Sequence, residues 1–110
     1  MKAWGLAQLR QHQELDGHPY LEFLREASMS AGLYVLPAGG VDRQQPHTED
    51  EIYIVLAGAA RFTAGEELRD VEPGDVIYVP AGLPHRFHDI TRELQLAVFF
   101  APPEGFLATS

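Results

Sequence analysis

The chain contains no cysteine. That excludes disulfides, thiolate zinc sites and a thiol nucleophile, and it fits a reducing compartment. Basic residues are few and scattered: 8 Lys and Arg stand against 16 Asp and Glu, for a net charge of −8. No basic run is present to follow a phosphate backbone or an anionic membrane surface, so neither nucleic acid nor membrane is expected as a partner. The longest apolar runs reach only about six residues, Ile52 to Ala57 among them, against the ~20 needed to cross a bilayer. No long apolar segment follows Met1 and Lys2, which argues against a secretory leader. The expected location is therefore the cytoplasm. There is no Gly-x-Gly-x-x-Gly or other phosphate loop. Ser28-Met29-Ser30 lacks a neighbouring base that would activate a serine nucleophile.

What remains is an ordinary globular composition, 45% hydrophobic over 110 residues, which fits one domain. Gly and Pro, 10 and 8 of them, break the chain into short segments. Such spacing points to many short strands in an all-β sandwich or barrel. Residues 4–16 read as a short helix, with Leu6, Leu9 and Gln13 or Leu15 on one face and Gly17-His18-Pro19 as its stop. Strands are expected at Tyr20–Arg25, Ala31–Leu36, Gln45–Leu56, Ala60–Thr63, Glu67–Val71, Asp75–Val79, from His85, and at Leu94–Ala101, the last buried on both faces. Ala57-Gly58-Ala59 reads as a turn.

Chemistry-bearing side chains concentrate in two stretches. In the first, Gln45, His47, Glu49 and Glu51 share one parity. Residues two apart on a strand face the same side, so an imidazole and at least one carboxylate converge there. Tyr53 and Val55 continue that parity inward, while Ile52, Ile54 and Leu56 face outward. The second stretch runs from Gly74 through Pro80-Ala81-Gly82 to His85, with Phe87 and Asp89 on the parity of His85. His88 has the opposite parity and suits a surface role; His12 and His18 lie outside both stretches and suit solvent.

The two stretches resemble the paired cupin motifs. Gly39, five residues, Gln45-x-His47, three residues, Glu51, six residues and Gly58 match the first. Gly74, five residues, Pro80-x-Gly82, two residues and His85 match the second, with Asp89 where the family usually has Asn. Fifteen residues, Ala59 to Pro73, separate them, as is typical of small bacterial members. The resemblance implies a small antiparallel β-barrel of jelly-roll type with a short N-terminal helix. Residues 1–30, the helix and first strand, would belong to the same domain as a barrel over residues 31–105.

The resemblance further implies one divalent transition metal held by Gln45, His47, Glu51 and His85. The family usually has His in place of Gln45, and a carboxamide oxygen is the weaker donor. Gln45 therefore binds directly, binds through water or does not bind, and Glu49 is an alternative donor. Such a set suits Fe, Mn, Ni, Zn or Cu without choosing among them. A metal-free polar network is the competing reading. Around the site, Tyr34, Tyr53, Phe87, Phe99 or Phe100 would wall a pocket for a small organic molecule. The resemblance implies an enzyme, a metal-dependent dioxygenase or an isomerase, or alternatively a non-catalytic module that binds or senses a small molecule. It also implies a homodimer.

Overall fold

The computed structural model describes residues 1–43 and 46–105. Its helix, α1 (Leu6–Asp16), ends at Gly17, whose φ of 81° lets its amide return to the Gln13 carbonyl. Leu9 and Gln13 form the buried face. Leu6 and Leu15, expected to share that face, are 46% and 82% exposed. Leu9 packs with Leu33, Val35 and Leu56 instead, so the helix covers one side of the sheet through a narrow contact.

The strands are β1 (Tyr20–Arg25), β2 (Ser30–Leu36), β3 (Asp50–Ala64), β4 (Glu67–Val71), β5 (Val76–Val79) and β6 (His85–Ala101). They pair antiparallel in the order β1-β2-β6-β3-β4, and β5 pairs with the first part of β3, Glu51 to Ile54. The molecule is thus an all-β, jelly-roll fold with one short helix, although the sheet is not fully closed. Its core gathers Tyr53, Phe62, Phe87, Leu94, Leu96, Val98 and Phe100 between the curved faces.

Strands β3 and β6 are longer than the sequence pattern suggests. Gly58 does not end β3, and Asp89 does not interrupt β6; each long strand instead changes which face it buries. In β3 the buried side chains are Glu51, Tyr53 and Val55, then Ala60 and Phe62. In β6 they are His85 and Phe87, then Ile90, Leu94, Leu96, Val98 and Phe100. Both changes sit where the β3–β6 register shifts between Val55 and Arg61. Bulges of this kind add a residue to one strand and bend the sheet. Gly58 has φ 103°, and a Cβ there would meet the Glu93 carbonyl oxygen and lie 2.7 Å from Leu94 Cα. Among the described residues, Asp89, at φ 49°, is the non-glycine residue in the left-handed region.

The segment Leu94–Ala101 is not buried on both faces: Leu94, Leu96, Val98 and Phe100 point inward, and the alternating residues are part-exposed. The N-terminal part of the motif strand also differs. The strand begins at Asp50, so His47 and Glu49 lie in the loop before it. Gln45 lies outside the described residues.

Candidate metal centre

Glu51 sits one residue into β3, in register with Val79 of β5 and Phe100 of β6. Its inward parity follows from the alternation that buries Tyr53 and Val55. His85 heads β6 after the Pro80–Pro84 loop. That loop also fixes His47, because the Gly82 amide donates to the His47 carbonyl at 2.7 Å. The His47 ring lies edge-on to Phe100, 4.7 Å between centroids. Two stretches far apart in sequence thus bring His47, Glu51 and His85 together, with one potential donor atom of each within 4.8 Å of the others.

The protonation pattern suits metal binding. His85 Nδ1 lies 2.7 Å from the Leu83 carbonyl oxygen, which only an N–H can approach favourably. Nε2 is thereby turned into the cluster, 3.0 Å from Glu51 Oε1 and 3.1 Å from the Tyr53 hydroxyl. The side chains of Glu51 and His85 are each 1% exposed. Apart from the His85 contact, neither Glu51 oxygen has a partner among the described residues, although a buried carboxylate ordinarily collects several. Donors at ~2.1 Å from an ion stand about 3 to 3.5 Å from one another. The Glu51–His85 separation matches that spacing, so the residues present fit a metal. Without one, burial lowers the pKa of His85, but hydrogen bonding to Glu51 and Leu83 and the charges of Glu51 and Asp42 outweigh it, and the net shift is upward.

A cavity of about 140 Å³ opens beside the cluster. Besides His47 and Glu51 it is walled by Tyr20, Tyr34, Tyr53 and Phe100, with Val98 and Glu104 completing the lining. Tyr34 is held by Asp42, a buried carboxylate that accepts from the Tyr34 hydroxyl at 2.6 Å and from the Phe87 amide at 2.9 Å. Burial pushes the pKa of both Tyr20 and Tyr34 well up, with nearby carboxylates adding to the shift. Both therefore keep their protons at neutral pH.

Other candidates stand elsewhere. Glu49 is buried but does not reach the cluster; its carboxylate accepts from the Thr48 hydroxyl and from the Gly105 amide at 2.9 Å. It is part of a clasp and stands outside the group formed by His47, Glu51 and His85, contrary to its expected place as an alternative donor. Phe87 packs in the core against Phe62 and Tyr53, and Phe99 lies on the outer face. Asp89 turns outward and accepts from His88 Nδ1 at 2.9 Å. His88 is half-buried and also bonds Thr63 at 2.7 Å. Tyr20 and Glu104 were not singled out by the sequence pattern, because they lie at opposite ends of the chain, outside both motifs.

The family profile of the cupin domain matches residues 32–101. Protein SCO3923 of Streptomyces coelicolor, an uncharacterised protein, is 48% identical over 105 residues, 96% of this chain and 100% of that protein. Dimethylsulfoniopropionate lyase DddQ of Ruegeria pomeroyi is 34% identical over 89 residues, 71% of this chain but 44% of the lyase. The crystal structure of that lyase superposes with a TM-score of 0.64 at 32% identity, over 69% of this chain and 39% of that one. This chain therefore spans less than half the length of the lyase. TT1209 from Thermus thermophilus superposes with a TM-score of 0.79 at 26% identity, over 94% of this chain and 99% of that one. A profile match across the barrel, a relative aligned over its whole length and the two motifs meeting inside one fold lead to one conclusion: the chain belongs to the cupin family.

Proposed function

We propose that the chain is a metal-dependent enzyme on a small organic molecule, with His47, Glu51 and His85 as ligands to one divalent transition metal. The observation that carries this reading is the Glu51 carboxylate, sealed from solvent, 3.0 Å from His85 Nε2 and with no other partner among the described residues. Tyr53, whose hydroxyl approaches the same nitrogen, is the nearest further donor. Gln45 keeps its place as a motif-derived ligand. Iron, manganese, nickel, zinc and copper all accept such a set.

When bound, such a metal supplies a Lewis acid for a substrate oxygen, or redox chemistry with dioxygen. The chain's own residues favour proton chemistry. Tyr20 and Tyr34 keep their protons at neutral pH, and the cavity they line is walled largely by aromatic rings. The similarity to a lyase points the same way, whereas the dioxygenase reading rests on the family resemblance alone. An isomerase shares the same proton-transfer needs.

A non-catalytic binding module is the second reading. The close approach of Tyr53 and Glu51 to His85 favours it, because these groups form a polar cluster without an ion. Elemental analysis of protein purified without an affinity tag separates the two. One metal per chain, lost with the His85→Ala change, supports the enzyme; metal-free protein supports the binding module. Oxygen uptake with phenolic and diketone substrates then tests the dioxygenase branch. A homodimer in the cytoplasm completes the proposal, supported by the exposed apolar face described below and by the absence of cysteine.

A further inference from the structure

Glu104 is held in an unusual way for a residue near the end of a chain. Its amide donates to Ser30 Oγ at 2.9 Å, and its carbonyl accepts from Arg25 Nη2 at 3.0 Å. The next amide, of Gly105, donates to buried Glu49. Three separate segments therefore fix the backbone on both sides of one side chain. That side chain is a carboxylate, and it lines the cavity beside the metal cluster. It is half-buried, and its carboxylate makes no hydrogen bond or ion pair among the described residues. Burial raises its pKa, His47 opposes the shift, and Glu22, Glu51 and Glu49 add to it.

A second group in the same cavity is also unmatched. The Tyr20 hydroxyl is sealed from solvent and has no hydrogen-bond partner among the described residues. Its ring lies directly over Gly32, where any Cβ would collide with it. The fold thus leaves out a side chain at position 32 to seat this tyrosine. With Glu51, whose partner among the described residues is His85, the cavity wall holds a donor and two carboxylates short of partners within the protein. Groups left in this state are matched by a ligand or carry a lasting penalty.

We propose that the cavity takes a small zwitterion, with its anionic oxygens toward the metal cluster and Tyr20, and its cationic end against Glu104. This rests on the metal-centre reading above. Glu104 supplies the counter-charge, and the faces of Tyr20, Tyr34 and Phe100 offer the aromatic surroundings that favour a cation. Tyr20 donates to an oxygen of the ligand. An uncompensated anion placed against Glu104 is repelled, so the same residue rejects simple carboxylates. At ~30 Å³ per water, the cavity of about 140 Å³ holds about five waters, which limits the ligand to a molecule of a few non-hydrogen atoms.

Three probes of one shape test this: β-alanine, propionate and propylammonium, titrated calorimetrically into metal-loaded protein whose metal content has been measured. β-Alanine is expected to bind at least about tenfold tighter than propionate, a difference of ~1.4 kcal/mol. In Glu104→Gln that ratio should fall to near one. In Tyr20→Phe both carboxylates should weaken together and the ratio should survive. A ratio near one in the wild type, no binding of β-alanine, or a preference that persists in Glu104→Gln overturns the proposal. Should Glu104→Gln fail to fold, Ser30→Ala frees the Glu104 amide and should lower the ratio in part; an undiminished ratio there counts against the proposal. A flat ratio with stoichiometric metal removes this inference and leaves the metal centre standing. A Glu104-dependent ratio in protein that binds no metal does the reverse.

Discussion

At the scale of single residues, the proposed metal centre depends on groups that have no substitute nearby. His47→Ala and His85→Ala should each abolish stoichiometric metal, because His12, His18 and His88 lie away from the cluster. Glu51→Gln keeps an oxygen donor without its charge and should weaken binding less. Near wild-type metal content in both histidine variants would remove the assignment. The pH response has opposite signs with and without metal. In metal-free protein the pKa of His85 is raised above its ordinary 6.5. Its charged form therefore stabilises the fold fully below that value, and the contribution is lost as pH rises through the raised one. In loaded protein the same imidazole must be unprotonated to bind, so falling pH releases metal and lowers stability. Melting temperatures across the imidazole range should fall with pH in chelated protein and rise with pH in loaded protein. Parallel trends in the two would show that His85 is not a ligand. These three residues were legible because motif spacing encodes them locally. Tyr20 and Glu104 were not, because only the pairing of distant segments brings them to one cavity.

At the scale of elements, the two parity changes are the least tolerant feature of the barrel. Gly58→Ala forces a Cβ into the Glu93–Leu94 backbone and holds it at positive φ. It should destabilise by more than about 2 kcal/mol in denaturant unfolding. Asp89→Val should lose about 1–2 kcal/mol from the left-handed conformation alone, whereas Asp89→Gly should be close to neutral. Equal stability of the Val and Gly variants would mean that residue 89 relaxes to another conformation. Hydrophobic alternation located the strands except at these points and at the start of β3, which begins at Asp50 and not at Gln45. A parity change looks like a break when only the pattern is read, so β6 reads as two strands and β3 as ending at Gly58. The helix illustrates a different limit. Leu6 and Leu15 have the right residue type for burial, but it is Leu9 that packs with Leu33 and Val35 of β2, while Gln13 is buried with its amide on the His18 carbonyl.

At the scale of the whole molecule, one face of the sheet stays apolar. Ile52 of β3 pairs with Tyr78 of β5, and Ile54 with Val76. Ile52, Val76 and Tyr78 are 40%, 63% and 59% exposed. Such a patch is uncommon on a solvated face and suits a second copy of the chain. Light scattering at micromolar concentration should report a dimer, and Val76→Lys with Tyr78→Lys should convert it to a monomer. A monomeric wild type would leave the patch without this role. Removal of the metal should also be felt globally, by roughly 2.7 kcal/mol at a hundredfold excess over the dissociation constant.

The clasp at Glu104 and Gly105 has a practical consequence. Its amides are bonded to Ser30 and Glu49, next to the cavity rather than in the central sheet. Local opening there needs only those few bonds to break, so these amides should exchange with solvent hydrogen faster than those of β3 or β6. A molecule in the cavity would brace the turn and slow the exchange. Two backbone amides near the C-terminus then act as a built-in gauge of occupancy, readable by isotope exchange before any substrate is known.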